Sequence, residues 1–308
     1  MAAAFAAMQA GTADAAEVRA SLKASRKPRK HVEVGSVEDR TIPGALNYPQ
    51  LPVRIYRPLA APADRPLIVY FHGGGFVLCD LDSHDACCRR LADGVGAVVM
   101  SVDYRLAPEH PFPAAVEDAW AATVWASEHA AQLGADRSRL VVAGDSAGGN
   151  LAAVVSMLAR DSGGPSIAYQ VLIYPVVDQR RKSATAAARG DGAKGVLSGH
   201  HMKWFTEQYL GSGCDRTDVR VSPMLGEHAG LPPAHIVTAE RDPLCDEGER
   251  YAETLQAAGV RATVRRYPGM FHGFFNLPDD IPLAEQANSD VCAVLRAALD
   301  VPDGQPLS

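Results

Sequence analysis

The sequence predicts an α/β protein in which helices cover both faces of a parallel sheet. Short, almost wholly apolar segments alternate with longer segments of helical apolar spacing, and glycines or prolines end several of the short segments. Strands buried on both faces of a parallel sheet have this continuous apolar character. The predicted strands are Leu67–Phe71, Ala97–Val102, Leu140–Ala143, Val171–Tyr174, His235–Ala239 and Ala262–Tyr267.

One long insertion interrupts the alternation of strands and helices. It runs from about Val177 to Leu231, is rich in Arg, Ala, Gly and His, and carries a predicted helix over Gly199–Leu210. Insertions of this size between sheet strands are typical of lids and caps. The other predicted helices are Val116–Leu133, Ala147–Arg160, Glu247–Ala258 and Leu283–Leu299, and residues 1–30 are predicted as a helix followed by the basic linker Arg26–Lys30.

The composition is that of an ordinary globular enzyme. The 308 residues suffice for one large α/β domain or two small ones, and the net charge of −6 argues against nucleic acid or an anionic membrane as the main partner.

The Ala-rich start lacks a positive region, and no segment approaches the ~18 apolar residues of a spanning helix, so we expect a cytoplasmic protein. The six cysteines show no C-x-x-C spacing and are expected to be free thiols.

The strongest catalytic signal is a G-x-S-x-G motif, Gly144–Gly148, between a predicted strand and a predicted helix. In this context the turn holds the serine in a strained backbone conformation that presents its hydroxyl to a base. The helix N-terminus favours developing negative charge. We therefore predict that Ser146 is a nucleophile; the alternative is a glycine-rich turn with an incidental serine.

A second signal lies upstream, where strand Leu67–Phe71 runs into His72-Gly73-Gly74-Gly75-Phe76. A loop without β-carbons can direct several backbone N–H groups at one point, as an oxyanion requires. The predicted donors are Gly73 and Gly74, joined by Ala147, and His72 is expected to anchor the loop. A phosphate-binding loop is the alternative, but no Gly-Lys-Ser/Thr follows.

His272 is the predicted general base because it lies in a loop directly after the last predicted strand. The acid that orients it should come earlier, at the end of the preceding strand, where catalytic groups gather in α/β sheets. Asp242 has that position, with Asp246 or Glu240 as alternatives; Asp246 is better placed to cap the next helix. The order Ser–Asp–His is the one that a G-x-S-x-G nucleophile predicts.

Together these motifs resemble those of the hormone-sensitive-lipase-like esterases, bacterial family IV of the α/β-hydrolase superfamily. The matching segments occur in family order and cover most of residues 50–300. They are His72–Phe76, Tyr104–His110, Gly144–Asn150, Asp242–Gly248 and His272–Phe274.

The resemblance implies the α/β-hydrolase fold, with a mostly parallel eight-stranded sheet, helices on its faces and a helical cap. A single domain would span residues 1–308, with the cap formed by about 1–45 and 178–230. The family's catalytic triad maps onto Ser146, Asp242 and His272, and its oxyanion-hole glycines onto Gly73 and Gly74. Tyr104–Pro113 has no chemical role that we can assign and is interpreted as structural support.

The resemblance further implies a serine carboxylesterase that acts on short- to medium-chain acyl esters, without metal or cofactor. Family members are often dimers, which leaves a homodimer open. Candidates for the substrate pocket are Phe76, Met202, Trp204 and Phe205; alternatively the last three form the small core of the cap.

Other functions remain to be weighed against ester hydrolysis. An amidase or peptidase would use the same triad, whereas a non-catalytic small-molecule receptor on this fold would be expected to lack one of its members. The stretch Gly190–Gly195 fits G-x-G-x-x-G literally, but no strand precedes it and no clear helix follows, which argues against dinucleotide binding.

Overall fold

The computed structural model describes residues 11, 13–26, 32–45, 48, 50–59, 65–180 and 197–301. The Ala-rich start, the G-x-G-x-x-G stretch at 190–195 and residues 27–30 of the predicted linker lie outside the described residues. The strands are β1 Ser36–Ile42, β2 Leu51–Arg57, β3 Arg65–Phe71, β4 Val98–Val102, β5 Ala135–Asp145, β6 Tyr169–Ile173, β7 Ala234–Arg241 and β8 Ala262–Phe271. The helices are α1 Ala15–Ala24, α2 Asp85–Val95, α3 Ala114–Glu128, α4 Ala130–Leu133, α5 Ala147–Asp161, α6 Gly199–Leu210, α7 Cys245–Ala257 and α8 Pro282–Ala298.

The eight strands form one sheet in the order β1-β2-β4-β3-β5-β6-β7-β8. Strands β1 and β2 pair antiparallel, β2 also pairs antiparallel with β4, and the other pairs are parallel. The predicted α/β architecture with a mostly parallel sheet is thus confirmed. The parallel strands β3, β5, β7 and β8 direct their carboxyl ends to the same edge, which gathers the loops that follow them.

Helices cover both faces of the sheet. The apolar core therefore consists of two layers, one between each face of the sheet and the helices that cover it. Along β3, Val69 contributes to the layer under α3, α5 and α7, whereas Ile68 and Tyr70 contribute to the layer under α2 and α8. Successive strand residues point to opposite faces, so an unbroken apolar strand supplies both layers. This is why the predicted strands carry no polar–apolar alternation.

Two helices outside the sheet layers lie beside the carboxyl edge. Helix α6 begins at Ser198, whose hydroxyl accepts from the His201 amide, and it buries Trp204 and Tyr209. The segment leading into helix α1 contacts it through Ala13, whose carbonyl accepts from the Trp204 indole at 3.2 Å. Helix α6 therefore occurs as predicted within the insertion, and it pairs with a segment almost 200 residues earlier in the chain.

Strand β1 and helix α2 were not predicted from the sequence, and for β2 the sequence offers only a short β-prone piece, Val53–Tyr56. Strand β1 is a largely exposed edge strand of mixed polarity, so it lacks the apolar run that marked the others. Helix α2 has polar and charged residues between its buried positions, which include Leu91 and Val95. Among the described residues, no helix combines the length and apolarity needed to cross a membrane.

Candidate active site

The three residues predicted to act together meet at the carboxyl edge of the sheet. The hydroxyl of Ser146 lies 2.8 Å from Nε2 of His272, and Nδ1 of His272 lies 2.7 Å from Oδ2 of Asp242. Asp242 is fully buried, and its other oxygen accepts from the Leu244 amide at 2.9 Å. The imidazole is thus held from one side by a buried carboxylate and faces the serine on the other.

The turn between β5 and α5 holds Ser146 in a conformation that is rare for residues with a side chain. Its φ and ψ are 55° and −115°. Gly144 and Gly148 make the turn sterically feasible, because a Cβ on Gly148 would lie 1.9 Å from the Phe71 carbonyl oxygen and one on Gly144 would lie 2.4 Å from the Gly148 carbonyl. The strain is fixed by tertiary bonds, among them the Ser146 amide to the Ile173 carbonyl at 2.8 Å.

The glycine loop after β3 corrects one predicted oxyanion donor. The amide of Gly73 donates to Oδ1 of Asp145 at 2.9 Å, so its N–H is already engaged and is not free to bind an oxyanion. The amides of Gly74, Gly75 and Ala147 have no acceptor among the described residues. Gly74 and Gly75 have φ values of 116° and 63°, which turn successive peptide units in directions that a residue with a Cβ rarely allows.

His72 supports the glycine loop and does not face the serine. Its ring stacks on Tyr104 at 4.3 Å between centroids, and Nδ1 lies 2.7 Å from the Gly73 carbonyl oxygen. The Tyr104 hydroxyl donates to the His72 carbonyl at 2.7 Å. Burial, reinforced by the nearby charge of His84, lowers the pKa of His72 to about 4, so the ring is neutral at neutral pH. These contacts match the anchoring expected for His72 and the supporting role expected for the segment from Tyr104.

A mostly apolar cavity of about 270 Å³ opens beside Ser146 and His272. Its volume is at the lower end of the range for small-molecule sites, roughly 300–1,000 Å³. Phe76, Met202 and Phe205, predicted for the substrate pocket, line it. Further lining residues are Leu22 of α1, Gly73, Gly74, Gly75, Leu78, Cys79, His84, Asp145, Val176, Gln179, Leu197, Thr206, Leu244, Gly273 and Asn276.

Trp204 does not line this cavity, and its assignment to the substrate pocket is corrected. Only 2% of the residue is exposed, its indole bonds to the Ala13 carbonyl, and it contacts Phe205 edge-on at 5.2 Å. Phe205, which follows it on α6, lines the cavity, whereas the Trp204 indole is directed to the backbone before α1. Trp204 follows the alternative prediction, in which it belongs to the core of the cap.

Some residues of the site were not found from the sequence. His84, at the start of α2, and Asn276, in the short 3-10 turn after His272, both contact Asp145 below the glycine loop. Asp145 occupies a variable position of the G-x-S-x-G motif, and its burial could not be read from spacing.

Asp246 was expected to cap α7, but it lies inside the first turn, and the helix has no side-chain cap.

No group of three or more His, Cys, Asp or Glu side chains is arranged to hold a metal ion in the part of the chain that is described. The site instead consists of a hydroxyl, an imidazole, a carboxylate and a set of free backbone amides. This set of groups is suited to nucleophilic attack, proton transfer and anion stabilisation.

Comparison with known proteins agrees with this geometry. The sequence profile of a family described as alpha/beta hydrolase fold matches residues 68–276. The carboxylesterase NlhH of Mycobacterium tuberculosis is 42% identical over 290 residues, which cover 93% of this chain and 91% of that protein. An ethyl acetate hydrolase of Pseudomonas putida is 41% identical over 80% of this chain and 77% of its own length. A solved esterase structure from Pyrobaculum calidifontis is 42% identical, covers 93% of this chain and 94% of its own, and has a TM-score of 0.87.

The sheet order, the serine on its turn and the histidine beyond the last strand define an α/β-hydrolase. The profile match covers more than half of the chain, and the relatives match over most of their own length. The chain belongs to the hormone-sensitive-lipase-like carboxylesterases of the α/β-hydrolase superfamily.

Proposed function

We propose that the chain hydrolyses short- to medium-chain acyl esters through an acyl-enzyme intermediate on Ser146. Membership of the family makes it a carboxylic-ester hydrolase, and the proposal concerns which residues act and on which esters. The observation that carries it is the continuous chain of hydrogen bonds from Ser146 through His272 to Asp242, at 2.8 and 2.7 Å. Three residues that are distant in sequence have no structural need to converge beside a cavity.

In the first half of the reaction, His272 accepts the proton of the Ser146 hydroxyl as its oxygen attacks the ester carbonyl carbon. The carbonyl oxygen becomes an oxyanion, which the amides of Gly74, Gly75 and Ala147 are free to bind. His272 then donates the proton to the leaving alcohol, and the acyl group remains on the serine.

In the second half, His272 takes a proton from water, and the resulting hydroxide attacks the acyl-serine carbonyl. The same amides receive the second oxyanion, and the carboxylic acid leaves as Ser146 regains its proton from His272. Asp242 accepts a hydrogen bond from Nδ1–H throughout, which fixes the tautomer that leaves Nε2 facing the serine and stabilises the imidazolium. Its burial keeps that contact from being screened by water.

The size of the cavity supports short acyl chains. A volume of about 270 Å³ is small for a ligand site, for which roughly 300–1,000 Å³ is usual. The walls are mainly apolar, which suits alkyl groups. The ethyl acetate hydrolase among the relatives points the same way.

Helices α1 and α6 are proposed to form the described part of the cap over this site, as part of a single domain. Leu22 of α1 and Phe205 of α6 both line the cavity. A cytoplasmic location and a homodimer stay predictions.

The proposal is tested with p-nitrophenyl esters from acetate to palmitate, comparing the wild-type chain with Ser146→Ala. We expect highest kcat/KM for chains well short of palmitate and a loss of at least about 10⁴-fold in the variant, because the nucleophile is absent. A matched p-nitroanilide series measures any amidase activity. Substantial turnover by a folded Ser146→Ala variant would remove Ser146 from its role.

A further inference from the structure

The carboxylate beside the proposed nucleophile has no part in the mechanism above, yet it is among the most extensively bonded groups of the site. Asp145 is 3% exposed. Its Oδ1 accepts from the Tyr70 hydroxyl and from the Gly73 amide, both at 2.9 Å, and its Oδ2 accepts from the Asn276 side-chain amide at 2.9 Å. Nε2 of His84 lies 3.1 Å from Oδ1.

These partners belong to the loops that carry the reacting groups. Asp145 immediately precedes Ser146 and thus belongs to the serine turn itself. Gly73 begins the glycine loop with the free amides, and Asn276 follows His272 by four residues. One carboxylate therefore connects the serine turn, the glycine loop and the histidine loop.

Besides this hydrogen bond, Asp145 packs closely against the backbone of Gly73. A Cβ on Gly73 would lie 2.5 Å from Oδ2 of Asp145, so the glycine allows the carboxylate to lie directly against the loop backbone. The next two residues carry the amides assigned to the oxyanion. Fixing the Gly73 peptide consequently limits the orientations that the Gly74 and Gly75 amides can adopt.

The electrostatic surroundings keep this group ionised. Burial alone would raise the pKa of Asp145, but the charge of His84 and hydrogen bonds from His84, Tyr70 and Asn276 outweigh it and lower the pKa to about 2. Charged acceptors form shorter and stronger hydrogen bonds than neutral ones. His84 is itself oriented by Ser83, whose hydroxyl lies 2.9 Å from Nδ1.

We propose that Asp145 is a positioning residue for ester hydrolysis, holding the glycine loop and the histidine loop in register with the serine turn. The inference rests on the proposed function, because it assigns Asp145 an effect on the oxyanion amides and on His272. It predicts that losing Asp145 weakens binding of the tetrahedral state far more than binding of the ester.

The test compares Asp145→Ala with Asp145→Asn. Alanine removes every side-chain acceptor, whereas asparagine keeps an oxygen that can accept from the Gly73 amide. We expect Asp145→Ala to lower kcat by about 10²-fold, the effect of losing one oxyanion donor, with KM within about threefold. Asp145→Asn should recover most of that loss. The affinity for a trifluoromethyl ketone, which forms a tetrahedral oxyanion on the serine, should fall in parallel with kcat.

Asp290→Ala is the matched control. Asp290 also accepts from a tyrosine hydroxyl, that of Tyr267 at 2.6 Å, and pairs with Arg265 at 2.8 Å, but it lies on α8 and does not line the cavity. This variant should lose stability and keep kcat within about twofold of wild type. If Asp145→Ala does not fold, Asn276→Ala is used in its place, because it removes the hydrogen bond between Asp145 and the histidine loop. It should lower kcat about 10-fold, with the same parallel loss of inhibitor affinity.

The outcomes separate this inference from the function on which it rests. If Asp145→Ala, or Asn276→Ala in its place, matches Asp290→Ala in kcat and in inhibitor affinity while Ser146→Ala is inactive, the positioning role is wrong and the proposed function stands. If Ser146→Ala retains turnover, the proposed function itself is wrong.

Discussion

At the scale of single residues, the site depends on backbone conformations that only particular amino acids tolerate. Ser146 adopts a φ of 55° at a stability cost of roughly 1–3 kcal/mol, offset by the fixed strand and helix on either side. The glycines around Ser146 cannot be replaced by larger residues without steric clashes. A Cβ on Gly149, for example, would lie 2.9 Å from the Pro175 Cβ. The strain therefore presents the hydroxyl to His272 and explains the small residues of the motif.

Gly75→Ala should lower the activity of the enzyme by a local steric effect. The new Cβ would lie 2.3 Å from Cδ1 of Phe205, so the loop, the phenyl ring or both must move. A displacement of this size at a reacting centre lowers kcat/KM by about 10²-fold, measured with p-nitrophenyl acetate.

Gly211→Ala is the control for backbone strain. Gly211 has a φ of 62°, against 63° for Gly75, but nothing lies within 4 Å of its added Cβ. This variant should lose about 1–3 kcal/mol of stability and keep its activity. Equal activity losses in the two variants would show that strain, and not the contact with Phe205, is responsible.

At this scale the sequence predicted residue identities better than amide directions. Ser146, Asp242 and His272 came from motif context and chain order, which follow the topology of the sheet. The error at Gly73 has a physical reason: consecutive glycines look alike in sequence, and the partner of each N–H depends on dihedral angles and on the buried Asp145. His84 and Asn276 were missed for the same reason, because the need of Asp145 for hydrogen-bond donors follows only from its burial.

At the scale of elements, helix α7 holds the loop that follows β6. Glu247, in the first turn of α7, accepts from the Val177 amide at 2.9 Å and from the Asp178 amide at 3.4 Å. The preceding residue, Val176, lines the cavity. Burial raises the pKa of Glu247 from 4.5 to about 8, although the two amides oppose the shift, so the carboxyl is largely protonated at neutral pH.

Glu247→Gln should become progressively more stable than wild type as the pH rises from about 4.5 to about 8. In the unfolded wild-type chain the carboxyl loses its proton near pH 4.5, whereas in the folded chain it keeps it until about pH 8. Deprotonation therefore favours the unfolded state across this window, and glutamine removes the effect. The difference in free energy of unfolding should grow by up to about 1.4 kcal/mol per pH unit in urea titrations.

Glu253→Gln, at an exposed position of the same helix, is the comparison for the loss of one carboxyl group from the chain. A difference between Glu247→Gln and wild type that does not change with pH would contradict the assignment of a protonated, buried carboxyl.

The elements that were not predicted from the sequence lack the apolar pattern by which the other strands and helices were identified. Strand β1 alternates exposed and partly exposed residues at the sheet edge, where packing does not require an apolar run. Helix α3 was predicted as one helix with α4, and the structure interrupts them at His129, which stacks on Trp125 at 4.4 Å. Element boundaries of this kind are set by tertiary contacts.

At the scale of the whole molecule, the cavity is closed by two segments that are far apart in the sequence. Helix α1 docks through Arg19, whose guanidinium donates to the Val77 and Ala107 carbonyls at 2.7 Å and pairs with Glu109. Helix α6 docks through Tyr209, which stacks on Phe76 at 3.8 Å. The sequence predicted both helices as cap elements through the family resemblance, but not these contacts, which join residues up to 133 positions apart (209 − 76).

Arg19→Met should raise KM about 3- to 10-fold with little change in kcat. The substitution removes the bonds that hold α1, and with it Leu22, against the cavity, but it touches none of the reacting groups. The measurement is a full KM and kcat determination with p-nitrophenyl butyrate.

Arg160→Met is the corresponding control, because Arg160 also donates to two backbone carbonyls, those of Glu227 and Ala229, away from the cavity. Both constants should stay near wild type in this variant. A fall in kcat without a change in KM for Arg19→Met would contradict a role of α1 in shaping the pocket.

The most direct test of the proposed mechanism is to identify the residue that becomes covalently modified. A p-nitrophenyl alkylphosphonate transfers its phosphonyl group to an activated hydroxyl and releases p-nitrophenolate. We predict one equivalent of p-nitrophenolate per chain, with the adduct located by peptide mass spectrometry on Ser146 and absent from His272→Ala. An adduct on another residue, such as Ser83 beside His84, would contradict the account.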